Sequence, residues 1–233
     1  MKKETLNDIQ IIAFDADDTL WDNEPIFQDV EKEFCNLLSE FGNKEDISAT
    51  LFDIEMQNME CYGYGAKAFT LSLVEVAIKV SNGNVAVKTI NEIVNLGKYL
   101  LNMPIKLLDG VENTLEKLNK EYKLVVATKG DLLDQQRKLD RSGIARYFHH
   151  VEIMSDKTEK EYTNLASALN TPPVNIMMIG NSLKSDIYPA LAIGMYATYI
   201  PYHTMWKHEL ADEDTSNSRF YKADSFSDLV DLF

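Results

Sequence analysis

The chain has 233 residues and a formal net charge of −14, with 37 acidic against 23 basic side chains. This excess of acid argues against a nucleic-acid partner or an anionic membrane surface, because both require a basic face on the protein. Hydrophobic residues make up 45% of the chain and charged residues 26%, which is ordinary for a soluble globular protein.

The two cysteines, Cys35 and Cys61, are too few for a disulfide framework, so a reducing compartment is expected. The N-terminal apolar stretch is too short for the core of a signal peptide, and no apolar run approaches the length of a transmembrane helix. We therefore expect a cytoplasmic protein with no membrane partner.

The first predicted element is a short buried strand, Ile11 to Phe14, which is followed at once by Asp15, Asp17, Asp18 and Thr19. Side chains two residues apart on an extended chain point the same way, so Asp15 and Asp17 are expected to project together. Two adjacent carboxylates repel each other unless a metal ion or a shared proton compensates them. The simpler alternative, a turn in which Asp and Thr cap a helix, accounts poorly for three carboxylates.

From residue 25 to about residue 103 the apolar residues follow helical spacing, which predicts four helices, the first of them ended by Gly42. Within this block, Cys61 to Lys67 places glycines between aromatic residues and predicts a loop. We interpret residues 23–103 as an inserted all-helical cap domain.

After Pro104, strands and helices alternate, which is typical of a doubly wound parallel sheet. A polar, acidic loop is expected at 209–218. We therefore predict the α/β class, with a Rossmann-like core formed by residues 1–22 and 104–233. The predicted strands are 123–127, 150–154, 176–179, 196–200 and one near Tyr221; the predicted helices are 111–122, 131–142, 158–169, 186–193 and one from Ser227.

Polar side chains follow the predicted strand ends, and the carboxyl ends of parallel strands converge on one crevice. Carboxylates, hydroxyls and a lysine meeting there have the composition of a metal and phosphate site. The residues after the later strands are Thr128, Lys129, Lys157, Gly180, Asn181, Ser182 and Asp186.

These motifs resemble those of the haloacid dehalogenase-like hydrolases, in the branch that carries a helical cap after the first motif. Asp15 to Thr19 matches the Asp-x-Asp-x-Thr motif of the phosphatases of that family, and Thr128 matches the hydroxyl residue of the second motif. Lys157 matches the lysine of the third motif, with Lys160 as a weaker competitor. The fourth motif, Gly-Asp-Ser-x-x-x-Asp, is matched by residues 180–186 with Asn181 in place of its first Asp.

The resemblance implies a phosphatase that acts on a small phosphate ester through an aspartyl-phosphate. Asp15 would be the nucleophile and Asp17 the general acid and base. Thr128 would bind the phosphoryl group and Lys157 would neutralise its charge. The implied cofactor is Mg²⁺, held by Asp15, the backbone carbonyl of Asp17, Asn181 and Asp186.

Asn181 departs from the family pattern, but its amide oxygen is still a ligand that hard cations accept. We expect an active enzyme with weaker Mg²⁺ affinity; the alternative is a site that has lost its metal. For Asp18 we expect a turn or cap role.

Substrate specificity is assigned to the cap, where Tyr64 and Lys67 are candidate substrate contacts, and Lys129 is a further candidate. A sugar phosphomutase of the same branch would keep both Asp15 and Asp17, and a non-catalytic binding or regulatory protein on this scaffold is the alternative of another class. A haloacid dehalogenase is disfavoured because it lacks the second aspartate of the first motif.

Overall fold

The computed structural model describes residues 6–214 and 216–233. Residues 1–5 of the predicted core segment and Thr215 of the predicted acidic loop lie outside the described residues. The chain forms two compact units. One comprises the chain up to Glu24 together with Ile105–Lys129 and Gln135–Phe233; the other comprises Pro25–Pro104 and Gly130–Asp134.

The first unit is built on a six-stranded sheet of order β3-β2-β1-β4-β5-β6 in which all pairings are parallel. The predicted α/β class with a parallel core sheet is confirmed. From β1, strands β2 and β3 follow on one side of the sheet and strands β4 to β6 on the other. In such sheets ligands bind where the strand order reverses, which here is at the carboxyl ends of β1 and β4. The strands are β1 Ile11–Phe14, β2 Lys123–Lys129, β3 Phe148–Met154, β4 Ile176–Gly180, β5 Tyr196–Tyr199 and β6 Phe220–Lys222.

The central strands are buried on both faces, which explains their unbroken apolar sequences. Ile12 and Phe14 of β1 pack in one hydrophobic cluster, whereas Ile11 and Ala13 pack in another. Successive side chains of a strand alternate between the two faces of the sheet, so β1 contributes to both layers. This packing holds the residues that follow β1 at a defined edge.

Helices accompany the strands, as the alternation in the sequence predicts. Residues 130–134 connect β2 to the body of α6 and belong to the second unit. The helices are α5 Val111–Leu118, α6 Leu132–Ser142, α7 Glu159–Ala168, α8 Tyr188–Ala192 and α9 Leu229–Leu232.

The predicted helix 186–193 is partly wrong, because a π-helical turn, Leu183–Ile187, precedes the short α8. Pro189 lies in the first turn of α8 and has no N–H to donate to the carbonyl of Ser185. The Tyr162 hydroxyl donates to that carbonyl instead, at 3.1 Å. One carbonyl of the irregular turn is therefore satisfied by a side chain of the neighbouring helix α7.

The second unit is a helical bundle with its own hydrophobic cluster, which includes Phe34, Leu73 and Ile93. The prediction of a loop over 61–67 is wrong at both ends: α2 continues to Tyr62 and α3 starts at Ala66. The first helix also ends earlier than Gly42, at Leu37. The helices are α1 Glu24–Leu37, α2 Lys44–Tyr62, α3 Ala66–Val80 and α4 Val87–Asn102.

None of the helices in the described part of the chain is both long and apolar enough to cross a membrane.

Within the helical unit, α4 approaches α3 closely at Gly97, where an added Cβ would lie 2.0 Å from Thr70 Oγ1 and 2.8 Å from Thr70 Cβ. Thr70 cannot easily turn away, because its side chain is branched at Cβ and its hydroxyl donates to Ala66 O at 2.6 Å. We predict that Gly97→Ala destabilises the protein by about 1–3 kcal/mol through overpacking.

The measurement is urea-induced unfolding followed by circular dichroism. Gly42→Ala is the matched control, since its added Cβ would meet Ile47 at an ordinary 3.6 Å. An unfolding midpoint for Gly97→Ala at or above that of the control contradicts the prediction.

Candidate active site

Five motif residues from separate parts of the sequence come together at the carboxyl ends of β1 and β4. The Lys157 ammonium contacts the carboxylates of both Asp15 and Asp186. The Thr19 hydroxyl lies 3.0 Å from Asp15 Oδ2 and 3.1 Å from Asn181 Oδ1. Both oxygens of Asp15 are thereby engaged, so its carboxylate is held in one orientation.

The electrostatics of this cluster follow from burial, because Asp15, Lys157 and Asp186 are each almost fully buried. Burial by itself would lower the pKa of Lys157, but the carboxylates of Asp15 and Asp186 raise that pKa well above its ordinary value. Burial raises the pKa of Asp186 to about 7, although Lys157 acts to lower it. Two buried carboxylates share one ammonium, so the cluster can accept further positive charge.

The backbone at the end of β4 closes tightly around Asp186. The Ser182 N–H donates to Asp186 Oδ2 at 2.9 Å. A Cβ added at Gly180 would lie 2.3 Å from the same oxygen, so a side chain at position 180 would displace the carboxylate. The glycine of the fourth motif is needed here for close approach.

Asp17 lies in a separate set of contacts and shares no hydrogen bond with Lys157. Its Oδ1 accepts from Trp21 Nε1 at 2.7 Å, and both of its oxygens lie 3.0 Å from Lys138 Nζ. Gln135 Nε2 donates to Asp17 Oδ2 at 3.2 Å and to Thr128 Oγ1 at 2.8 Å. The carboxylate of Asp17 and the hydroxyl of Thr128 are therefore linked through one amide.

Asp18 has the role predicted for it, as a turn and cap residue. Its φ of 61° lies in the left-handed region, where Asp is tolerated better than most residues. Its carboxyl accepts from the backbone N–H groups of Asn23 at 2.8 Å and Glu24 at 3.0 Å, at the start of α1. Burial raises the pKa of Asp18 to about 8, against the lowering effect of these N–H donors.

Lys129 belongs to a second buried polar cluster. Its ammonium contacts the Glu209 carboxylate and lies 2.9 Å from Ser185 Oγ. Glu209 also accepts from the hydroxyls of Ser182 and Ser185. Burial acts to raise the pKa of Glu209, but Lys129 and the two hydroxyls lower it to about 2. The Lys129 ammonium points at Glu209, and its contact with substrate stays a prediction.

The remaining sequence candidates have other surroundings. Lys160 is exposed on α7, so the structure brings Lys157 rather than Lys160 to Asp15. Tyr64 and Lys67 belong to the helical unit, where Lys67 pairs with Asp131 at 2.8 Å. Their contact with substrate also stays a prediction.

Three residues near the site were missed by the sequence analysis: Gln135, Lys138 and Glu209. The first two are three apart on α6, which places them on one face of the helix, but α6 is rich in polar residues and nothing in its sequence separates them from their neighbours. Glu209 was assigned to an acidic loop. Their burial is what identifies them.

The oxygen atoms around Asp15 suit a hard cation. Among the described residues, no group of three or more His, Cys, Asp or Glu side chains could hold a metal ion. The predicted ligand set has two such side chains, Asp15 and Asp186, and adds the amide oxygen of Asn181 and a backbone carbonyl. Asp15 and Asn181 oxygens lie within reach of the same Thr19 hydroxyl, so they converge, and both are oxygen ligands that Mg²⁺ accepts.

A family profile described as haloacid dehalogenase-like hydrolase matches residues 9–194 of the chain. The crystal structure of a haloacid dehalogenase-like family hydrolase from Xanthomonas campestris is 32% identical in sequence and has a TM-score of 0.86. The match covers 100% of this chain and 96% of that one.

Two curated relatives are phosphatases. N-acylneuraminate-9-phosphatase of Mus musculus is 26% identical over 204 residues, which are 83% of this chain and 82% of the relative. Glyceraldehyde 3-phosphate phosphatase of Pyrococcus furiosus is 27% identical over 201 residues, which are 83% of this chain and 81% of the relative.

We predict that Glu209→Gln destabilises the protein by about 1–3 kcal/mol at pH 7, because it removes the carboxylate charge that contacts the Lys129 ammonium and accepts from the buried Ser182 and Ser185 hydroxyls. The folded-state pKa of Glu209, about 2, is below its ordinary value of 4.5. The contribution of Glu209 is therefore complete above the ordinary value and is lost as the pH falls toward 2. The difference between wild type and variant should shrink on acidification.

The measurement is the free energy of unfolding in urea at pH 7 and at about pH 3. Glu213→Gln serves as the control, because the Glu213–Lys222 pair is partly exposed and such pairs contribute about 0–1 kcal/mol. Equal unfolding free energies for the two variants at pH 7 run against the prediction.

Proposed function

Given that the chain belongs to the haloacid dehalogenase-like hydrolases, we propose that it is a Mg²⁺-dependent phosphatase that hydrolyses a small phosphomonoester through an aspartyl-phosphate. The single observation that carries this proposal is the buried Asp15 carboxylate, held by Lys157 on one oxygen and Thr19 on the other. A carboxylate fixed in this way is suited to nucleophilic attack on phosphorus. The phosphatase activities of the two curated relatives support the reaction class.

In the first step, an oxygen of Asp15 forms a bond to phosphorus as the bond from phosphorus to the ester oxygen breaks. Asp17 gives its proton to that leaving oxygen, which departs as an alcohol. In the second step, a water attacks the phosphorus of the aspartyl-phosphate and gives a proton to Asp17. Inorganic phosphate leaves, and the Asp15 carboxylate is restored.

Charge is the main obstacle to this reaction, because a phosphomonoester carries about −1.5 to −2 near neutral pH and must approach a carboxylate. Lys157 supplies fixed positive charge beside Asp15, in a site from which water is largely excluded. Gln135 donates to the oxygen of Thr128, which leaves the Thr128 hydroxyl hydrogen available to a phosphoryl oxygen.

Asp15, Asp186, Asn181 and the backbone carbonyl of Asp17 would hold Mg²⁺. The ion would supply positive charge that the pair of buried carboxylates and the phosphoryl group both need. Support comes from the geometry, because two buried carboxylates, Asp15 and Asp186, contact the single ammonium of Lys157.

The substrate class is a small phosphorylated metabolite. N-acylneuraminate 9-phosphate and glyceraldehyde 3-phosphate, after which the two curated relatives are named, are the first compounds for a panel of phosphomonoesters. Phosphate release is the readout, and conversion of a sugar phosphate to its isomer without release would favour the phosphomutase alternative instead. Tyr64 and Lys67 of the helical unit stay candidate substrate contacts.

We predict that Asp15→Asn lowers phosphatase activity by at least about 10³-fold, because the amide cannot serve as the nucleophile. The measurement is release of inorganic phosphate in the presence of Mg²⁺, with mass spectrometry of quenched wild-type enzyme to detect one phosphoryl group on Asp15. Asp8→Asn is the control, since Asp8 is exposed. Activity of Asp15→Asn equal to that of the control would overturn the covalent mechanism.

We also predict that Asn181→Asp lowers the Mg²⁺ concentration needed for half-maximal activity, because it adds a negative charge to the ligand set. A Mg²⁺ titration of activity for wild type and variant measures this shift. Ser216→Asp adds the same charge in an exposed segment and is the control for net charge alone. An unchanged half-saturation in Asn181→Asp speaks against metal binding by residue 181.

A further inference from the structure

Lys138 is a buried lysine in the first unit that takes no part in the proposed reaction steps. It lies on α6, its side chain is 3% exposed, and its ammonium is 3.0 Å from both oxygens of Asp17. A third contact, at 2.9 Å, joins the ammonium to Asn23 Oδ1. Arg137, the neighbouring basic residue on α6, is exposed, so burial singles out Lys138.

The contacts of Asp17 define the orientation of its carboxyl completely. Lys138 contacts both oxygens, Trp21 contacts Oδ1, and Gln135 contacts Oδ2. Trp21, Gln135 and Lys138 are all almost fully buried, so these donors are fixed by packing. The Asp17 carboxyl is therefore held by donors on both of its oxygens.

Stability alone is a poor reason for this arrangement. Removing an ammonium from water is costly, and buried ion pairs often contribute no more to folding than apolar residues of similar size. A role in the reaction explains the buried ammonium better. A fixed charge beside a proton-transfer residue stabilises the charge that develops on that residue in the transition state.

We propose that Lys138 is a positioning residue that orients Asp17 and stabilises the negative charge that develops on it as it protonates the leaving oxygen. This inference rests on the proposed phosphatase function. As the bond from phosphorus to the ester oxygen breaks, the Asp17 proton moves to that oxygen and its electron pair stays on the carboxylate. The Lys138 ammonium faces that carboxylate.

The test uses the dependence of the rate on the leaving group. A p-nitrophenolate leaves without a proton, whereas the alkoxide of glycerol phosphate needs one. We compare kcat for p-nitrophenyl phosphate and glycerol phosphate in wild type, Lys138→Met, Lys138→Arg and the control Arg137→Met. Asp17→Asn gives the pattern expected when proton donation is lost.

Lys138→Met should lower kcat on glycerol phosphate about 10- to 100-fold more than on p-nitrophenyl phosphate, since a positioned general acid contributes about 10²–10⁴-fold. Lys138→Arg should recover part of that difference, because it keeps the charge. The control should match wild type on both esters.

Equal losses of kcat on the two esters, or no loss on either, would show that Lys138 has a structural role alone and would overturn the inference while leaving the phosphatase function intact. Should Lys138→Met fail to fold, as judged by circular dichroism, Lys138→Gln replaces it with the same two outcomes. A wild-type enzyme that releases no phosphate from any ester of the panel would instead overturn the proposed function, and this inference with it.

Discussion

The buried Lys157 ammonium is the interaction on which the rest of the site depends. Asp15 and Asp186 lie far apart in the sequence and would repel each other where they meet, because both carboxylates are buried. The ammonium between them makes their proximity tolerable, and Thr19 and the Ser182 N–H engage the other oxygen of each carboxylate. The site is therefore a buried group of opposite charges in which two carboxylates share one ammonium.

The parallel sheet positions the residues of this buried group. β1 lies between β2 and β4, so residues that directly follow β1 and β4 must meet at the same edge. Both strands are buried on both faces, and this packing holds in place the backbone from which Asp15 and Asn181 follow. Gly180 contributes as well, because the absence of a side chain there lets the Asp186 carboxylate lie close to the backbone of β4.

Around this centre, two further buried groups of charges connect the catalytic motifs to the rest of the core. Gln135 and Lys138 of α6 engage Thr128 and Asp17, and Glu209 joins Lys129 to Ser182 and Ser185. Asp17, Thr128 and Ser182 are thus each contacted by a residue that does not belong to a motif. Such support determines how closely a proton-transfer group is held to its productive geometry.

The sequence by itself determined the class of the fold and the positions that follow its strands, because unbroken apolar runs and strand–helix alternation depend on local composition. It also placed Asp15 and Thr128 at strand ends, with Lys157 and Asp186 in the segments that follow later strands, and parallel strands leave little choice about where such segments meet. The tertiary structure alone decided which polar residues are buried partners. Gln135, Lys138 and Glu209 resemble ordinary surface residues in the sequence, since burial of a single polar side chain depends on contacts distant along the chain. The irregular turn before α8 was missed for the same reason: the hydroxyl that satisfies its backbone comes from Tyr162, on another helix.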